Sequence, residues 1–571
     1  MAGDRGGGVP GPADWVSRTA DLALRHAELV NGGQLPSVVT CASGISPSGP
    51  IHLGNLREVL TVHFVVEEIR RRGVRVRHLH SWDDYDRFRK VPAGVDASWN
   101  EHIGRPLSAV PDPTGEFANW AERYKAPLRA ALRELGCELV EVSQTELYRA
   151  GSYRTQIQTA IRRRSDIESI MSPYRRKKSA AAGEAAEHEP SHGSSEDLTR
   201  FPYKPYCRGC GRDTVTLTWY DDATADLAYN CDVCGDSYLT NVATQDGGKL
   251  AWKVDWPMRW AFEGVHFEPA GNDHASPGSS YTVGKEIAAT IFGAAAPAFV
   301  GYAFVGVQGM PKMSSSKGGV PTASEALRVL EAPILRWLYV RRQPKQAFTV
   351  DLGQEVLRLY DEWDALTRKA RTSTKRDVAV LAWERASATT TGGALPTPAV
   401  VVPFRTLSSV ADVTAGSADL ISAAVARIGH RHRVVDDLEP RLSKAMTWVS
   451  EYVPENDRST VRTTPDTARL AGLCEVERQW LGELLGGLPE SFDGENVTAL
   501  IYGVPKLCRG LALDAVPNEE VRADQKAFFG LLYELLVAAD HGPRLPTLFA
   551  ALGPERIRTL LTPPATGDRR D

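Results

Sequence analysis

Two short stretches, more than 250 residues apart, each carry half of what a triphosphate site needs. The first is Pro47-Ser48-Gly49-Pro50-Ile51-His52-Leu53-Gly54-Asn55 and the second is Lys312-Met313-Ser314-Ser315-Ser316-Lys317-Gly318. In the first, Pro47, Ser48 and Gly49 form a tight turn, and Gly54 lets the backbone approach a ligand closely. The helix that follows offers free N–H groups and a positive dipole end to phosphate. His52 and Asn55 add side-chain donors. In the second, Lys312 and Lys317 bracket three hydroxyls in a basic loop that can neutralise charge on departing pyrophosphate. Either stretch alone is also compatible with an ordinary surface loop. Together they demand a fold that brings distant segments to one place.

A parallel α/β sheet meets that demand. Residues 36–44 read as a buried strand running into a loop. From Leu53 to Arg72, apolar residues recur at helical spacing (Leu56, Val59, Leu60, Phe64, Ile69), and Gly73 follows as the expected C-terminal cap. Val74 to Trp82 reads as the second strand of a β-α-β unit, ending in Asp83-Asp84-Tyr85-Asp86. Ligands of such sheets bind beyond the carboxyl ends of the strands. Ser43-Gly44, the His52 loop and the acidic cluster all fall there. Residues 120–170 read as charged helices. Residues 175–200 change to an Arg/Lys run and then an Ala/Glu/His/Ser/Gly stretch too polar to bury a core. Tyr281–Phe292 suits a helix, and Ala298–Val307 suits one buried strand feeding the Lys312 loop. Beyond about residue 325 the pattern is helical: Ala326–Arg341, Leu352–Arg371, Ala418–Ile428 and Lys526–Ala539, with a Thr/Gly/Pro loop at Thr389–Pro398.

Cys207-x2-Cys210-x20-Cys231-x2-Cys234 has the spacing of two knuckles sharing one tetrahedral zinc. Four thiolates leave no open position, so the site predicted is structural. The other four of the eight cysteines are scattered and read as reduced. The 571 residues exceed one core, so two to four domains are expected. A net charge of −4 argues against blanket electrostatic binding to nucleic acid but leaves room for a local basic track. No apolar run spans a bilayer and no secretory leader is visible, so a cytoplasmic location is expected. The Asp83–Asp86 cluster either attracts a cationic ligand or caps the next element. Trp252 to Trp260 is a Trp-rich segment suited to a pocket wall or to core packing. Gly271-Asn272-Asp273-His274 places an acid and an imidazole in one loop ahead of the second motif.

These residues resemble the class I aminoacyl-tRNA synthetases. His52-Leu53-Gly54-Asn55 resembles the family's His-Ile-Gly-His signature, and Lys312-Met313-Ser314-Ser315-Ser316 its Lys-Met-Ser-Lys-Ser loop. Within the class, the class I lysyl-tRNA synthetases share the run His80–Pro92, the segment Val254–Trp260, Phe267-Glu268-Pro269-Ala270-Gly271 and the Lys312–Gly318 loop. Asn55 and Ser315 replace the second histidine and the second lysine of the signatures, so Lys317 is the candidate substitute. The resemblance implies an α/β fold: a Rossmann-like catalytic domain in two halves (36–120 and 251–325) after an N-terminal tail and helix (1–35). A helical and zinc-binding insertion (121–250, disordered at 179–198) separates the halves, and an all-α anticodon-binding helix cage (326–571) follows. It implies activation of L-lysine with ATP and Mg2+ to lysyl-adenylate, then transfer to tRNA(Lys), by a monomer carrying one structural Zn2+. His52, Asn55, Lys312 and Lys317 are then the catalytic candidates. Pro47, Ser48, Gly49, Gly54, Met313, Ser314, Ser315 and Ser316 complete the ATP contacts. Gly44, Ser46, Asp84, Trp256, Asp273, His274 and Tyr281 are the candidates for the lysine pocket, with Asp84 and Asp273 facing ammonium groups. Cys207, Cys210, Cys231 and Cys234 hold the metal. Arg427, His430, Arg431, His432 and Arg433 form a basic cluster that meets RNA phosphate or ends a solvated helix. A glutamyl or arginyl enzyme, or a synthetase-like RNA-binding protein without charging activity, are the competing expectations.

Overall fold

A computed structural model describes residues 14–92, 94–181, 198–308, 320–490, 492 and 494–563. Helix α1 (Trp15–Val30) starts at Asp14, whose carboxylate accepts the Ser17 N–H. Then come β1 (Val39–Ile45), α2 (Leu53–Arg71) and β2 (Val76–Trp82). Strands β1 and β2 pair in parallel, from Val39 opposite Val76 to Ile45 opposite Trp82. Gly73, at φ +76°, closes α2 as expected. Helix α2 is buried on most of its surface, including Leu56, Val59, Leu60, Val62 and Ile69. Full burial of each such side chain contributes about 1.5–3 kcal/mol.

The sheet extends in both directions. After α3 (Trp120–Glu134), β3 (Val140–Ser143) pairs in parallel with β2, a strand inside a stretch expected to be helical. Its Val140 and Glu141 are exposed, which weakens the apolar signal. On the other side of β1, Phe267 bridges Cys41, and Ala298 bridges Phe267, both in parallel. Hence the spatial order is β3, β2, β1, then residue 267, then residue 298. The chain therefore turns in opposite directions on the two sides of β1, and the resulting crevice is where such folds bind ligands.

The intervening insertion contains α4 (Gln144–Arg149), α5 (Arg154–Arg162) and α6 (Arg164–Ala181). Helix α6 covers the start of the segment expected to be disordered, and residues 182–197 lie outside the described residues. Strands β4 (Tyr203–Pro205), β5 (Val215–Tyr220), β6 (Asp226–Cys231), β7 (Ser237–Asn241) and β8 (Gly248–Leu250) follow, with β5-β6-β7 an antiparallel sheet. The core resumes with α7 (Trp252–Glu263), β9 (Ala270–Gly271), α8 (Ser280–Phe292), β10 (Gly301–Tyr302) and β11 (Val305–Val307). The single strand expected over 298–307 is two short ones. Strand β10 pairs with β9, whereas β11 pairs with β12 (Phe348–Val350), so the chain changes partner between them at exposed Phe304.

Helices α9 (Ala323–Val329) and α10 (Ala332–Val340) replace the single helix expected over 326–341. Two compact units emerge: Met1–Ala326 with Leu335–Val350 and Lys369–Leu395, and Leu327–Ile334 with Asp351–Arg368 and Pro396–Asp571. Helices α11 (Glu355–Thr372) and α12 (Val378–Ser387) follow β12 in the sequence. Within Thr389–Pro398, a two-residue-per-strand hairpin pairs Ala388–Thr389 with Gly393–Ala394. The second unit holds α13 (Phe404–Val413), α14 (Ala418–Arg427), α15 (Arg441–Tyr452), α16 (Thr467–Ala471), α17 (Glu475–Gly487), α18 (Gly494–Leu507), α19 (Glu519–Val537) and α20 (Leu545–Leu561).

A buried ion cluster ties that unit together. Arg441, 2% exposed, donates Nε to Glu331 at 2.7 Å and both Nη groups to Asp364 at 2.8 Å. Its guanidinium also lies 5.0 Å from the centre of the Tyr360 ring. Removing one partner of such a cluster leaves buried charge uncompensated. Arg441→Ala is expected to destabilise the helical unit by about 3–5 kcal/mol in denaturant unfolding; a change within about 0.5 kcal/mol would contradict this account of it.

Candidate active site

The first signature begins α2. His52, with extended φ and ψ of −93° and 171°, is its N-cap. Its Nδ1 accepts the Gly54 N–H at 3.1 Å, and Asn55 Oδ1 accepts the His52 N–H at 3.2 Å. Burial pushes the His52 pKa below its ordinary value, so the ring is neutral near pH 7. With Nδ1 accepting, the single proton of a neutral ring sits on Nε2. The Asn55 oxygen is likewise engaged, which leaves its NH2 as the available end. The capping box therefore fixes both side chains as donors. Upstream, the Trp120 indole N–H donates to Ser48 O at 3.3 Å and anchors the Pro47–Gly49 turn, with Pro47 and Gly49 buried.

Lys312, Met313, Ser314, Ser315, Ser316 and Lys317 lie outside the described residues. The flanks of that segment are described. Gln308 N–H bonds Val350 O at 3.1 Å at the end of β11. On return, Leu53 N–H bonds Pro321 O at 3.0 Å, and Thr322 bridges His52. The chain thus re-enters beside the first signature, five positions beyond Lys317 in the sequence.

A cavity of about 150 Å³ opens at the crevice next to β1. Gly44, Glu58, Asp83, Arg259, Glu268 and His274 are among its lining groups, with Trp252, Trp256 and Trp260 forming an aromatic wall. Two of its carboxylates have no cationic partner among the described residues. Glu58 accepts the Gly44 N–H at 2.7 Å and the Tyr302 hydroxyl at 2.6 Å. Glu268 accepts the indole N–H groups of Trp256 at 3.1 Å and Trp260 at 2.6 Å. Desolvation raises the Glu58 pKa to about 8 and that of Glu268 to about 7. Asp83 is compensated, by Arg259 Nη1 at 2.5 Å. The cavity therefore favours a ligand bringing positive charge.

The sequence-predicted residues divide accordingly. Gly44, Trp256 and His274 line the cavity. Ser46 is half-buried and Asp273 exposed, and neither lines it. Tyr281 stands behind the wall: its ring stacks on Phe299 at 4.2 Å, meets Trp260 edge-on at 5.7 Å, and donates to Pro297 O. The expectation for Asp84 needs correction. Its carboxylate is taken up by Lys125 Nζ at 2.5 Å, Ser143 Oγ at 2.7 Å, and the Thr145 N–H and hydroxyl at 2.8 and 2.9 Å. Such a saturated, buried acid has no capacity left for a ligand, and its neighbour Asp83 is the one at the cavity. Glu58, Glu268 and Arg259 line the cavity and were missed as candidate site residues. Glu58 lies one and a half turns into an apparently apolar helix, a weak signal, although an acid among its buried positions was visible.

The four cysteines form a second candidate site. Their sulfurs lie within 4.8 Å of one another. Separations are 3.6 Å for Cys207–Cys234 and Cys210–Cys231, and 3.4 Å for Cys231–Cys234. Zinc–sulfur bonds of about 2.3 Å imply tetrahedral edges of about 3.8 Å, so the set fits that ion. Backbone N–H groups of Gly209 and Cys234 donate to Cys207 and Cys231 sulfurs, as thiolates require. The knuckle grips the loop after β2: Asp213 N–H bonds Gly104 O, and Arg105 Nε bonds Cys210 O. In the helical unit the basic cluster separates. Arg427 donates to Ala550 O, and His432 bonds Ser422, whereas Arg433 is exposed.

A family model described as tRNA synthetases class I (K) matches residues 13–386. A lysine--tRNA ligase of Streptomyces coelicolor is 48% identical, covering 96% of this chain and 98% of its own. The chain belongs to the class I lysine--tRNA ligase family. The lysine--tRNA ligases of Thermococcus kodakarensis (34% identical; 95% of this chain and 98% of the relative) and Treponema pallidum (30%; 92% and 94%) are similar to this synthetase along nearly the same span.

The two raised acids give a pH signature in the empty synthetase. Unfolded, both ionise near 4.5; folded, they stay protonated up to about 7 and about 8. Between those limits the folded state binds more protons, so their stabilising contribution, complete below the unfolded value, is lost as pH rises through the folded values. Glu58→Gln and Glu268→Gln are each expected to flatten the fall in unfolding free energy between about pH 5 and about pH 8. An unchanged slope in both would contradict the assignment.

Proposed function

We propose that this chain activates L-lysine with ATP to lysyl-adenylate and transfers the lysyl group to tRNA(Lys). The observation that carries the lysine reading is the pair Glu58 and Glu268, two carboxylates without cations around one small cavity. L-lysine brings two ammonium groups; glutamate would bring an additional negative charge into an acidic, desolvated site and be repelled.

The lysine carboxylate attacks the α-phosphorus of ATP and pyrophosphate leaves. His52 Nε2–H and the Asn55 NH2 donate to phosphate oxygens, and the N-terminus of α2 adds its dipole. Lys312 and Lys317 neutralise the leaving pyrophosphate, and the pairing of Pro321 and Thr322 with Leu53 and His52 supports that placement. Mg2+ bound with ATP would supply further charge neutralisation beside these donors. No general base is needed, because the attacking carboxylate is already ionised. Then the terminal ribose hydroxyl of tRNA takes the lysyl group. A zinc ion on Cys207, Cys210, Cys231 and Cys234 would act as a structural cross-link holding the loop at Gly104–Arg105. The helical unit would hold the anticodon, and Arg431 and Arg433 remain its candidates for phosphate contact.

Charging of purified tRNA with each radiolabelled amino acid in turn tests this reading. Lysine is expected to be incorporated with ATP present, and glutamate and arginine are not. Incorporation of another amino acid, or tight tRNA binding with no charging of any, would overturn it.

A further inference from the structure

Arg259 is buried, 6% exposed, at the floor of the cavity lined by Glu58 and Glu268. Three fixed acceptors hold one side of its guanidinium. Nη1 donates to Asp83 at 2.5 Å and Ser81 Oγ at 3.2 Å, and Nη2 donates to Asp255. Asp255 is itself pinned by the Tyr148 hydroxyl at 2.5 Å. Ser81 is pinned by the Gln144 amide at 2.9 Å. The orientation of the guanidinium is therefore set before any ligand enters. Yet its Nε–H, buried, has no hydrogen-bond partner. A buried unpaired donor on a charged group is costly, and an acceptor on a bound ligand would relieve that cost.

The chemistry of the missing acceptor follows from the rest of the cavity. Glu58 and Glu268 already answer the two ammonium groups of a lysine. The remaining polar group of that molecule is its carboxylate, which accepts hydrogen bonds only. We infer that Arg259 is a substrate-binding residue whose Nε–H donates to one oxygen of the lysine carboxylate, leaving the other oxygen to attack phosphorus. This rests on the lysine reading above. It makes recognition a three-point contact of two acids and one donor, and such a contact orients the α-carbon as well as selecting the side chain. The bond is charge-assisted on both sides, so its loss is expected to weaken binding roughly tenfold or more.

Cadaverine, which is lysine without its carboxylate, separates this role from a structural one. Binding of both ligands is read from tryptophan fluorescence, since Trp252 and Trp256 line the cavity. In the unaltered protein cadaverine is expected to bind roughly tenfold or more weaker than lysine. Arg259→Lys, which keeps the charge beside Asp83 and Asp255 but removes Nε–H, should weaken lysine by the same factor and leave cadaverine unchanged. Equal weakening of both ligands would mean Arg259 only supports the fold, and would overturn the inference; so would no effect on lysine. Should the variant fail to fold, the Arg259 Nε–H resonance of the unaltered protein serves instead. It is expected to shift with lysine and not with cadaverine, and an identical response to both overturns the inference. If neither ligand binds the unaltered protein, the lysine reading itself has failed.

Discussion

The end of β2 carries three acids in four residues, and the fold gives each one its own cation from a different element. Asp83 takes Arg259 from α7, Asp84 takes Lys125 from α3, and Asp86 takes Lys249 from β8. Uncompensated, these carboxylates would be too costly to bury so close together. Compensated, they pull α3, the end of the insertion and the first turns of α7 onto the carboxyl end of one strand. The aromatic wall on α7 is positioned by that convergence. Against this neutralised background Glu58 and Glu268 stand out, because neither forms an ion pair among the described residues and the Arg259 charge that reaches Glu268 is already held by Asp83 and Asp255. The electrostatic vacancy of the cavity is thus made by the completeness of the pairing next to it.

Helix α2 links the two halves of the site. Its N-cap engages His52 Nδ1 and Asn55 Oδ1 in backbone hydrogen bonds, while Glu58 on the same helix reaches the cavity and is held by Gly44 of β1 and Tyr302 of β10. One helix therefore carries both the capping pair at its N-terminus and a cavity-lining acid. The chain returns at Pro321–Thr322 onto His52–Leu53, which brings the residues following the second signature beside that N-terminus.

Much of this was legible in the residues. The β1-α2-β2 unit, the glycine that ends α2, and the cysteine spacing read directly, because periodicity and cap chemistry are local. What was not legible depended on long-range pairing. The sequence places Asp83 and Asp84 side by side, and only tertiary structure reveals that Ser143, Thr145 and Lys125 saturate the second. Strand β3 was hidden by its exposed edge residues, and the break between β10 and β11 by a continuous apolar run whose two halves take different partners. Tyr281, expected in the lysine pocket, does not line the cavity and packs on Trp260 behind it. Lys312 and Lys317 lie outside the described residues.

The central claim is that Glu58 and Glu268 await a doubly cationic ligand, and infrared difference spectroscopy addresses it most directly. At a pH below their raised pKa values both acids are protonated in the empty cavity and show a carboxylic C=O stretch. Lysine binding should ionise them, so that band is lost as carboxylate bands grow, and the change should shrink in Glu58→Gln and in Glu268→Gln. Norleucine, which lacks the side-chain ammonium, should produce a smaller change. A lysine spectrum with no loss of the protonated band, or one that norleucine reproduces in full, would contradict the account.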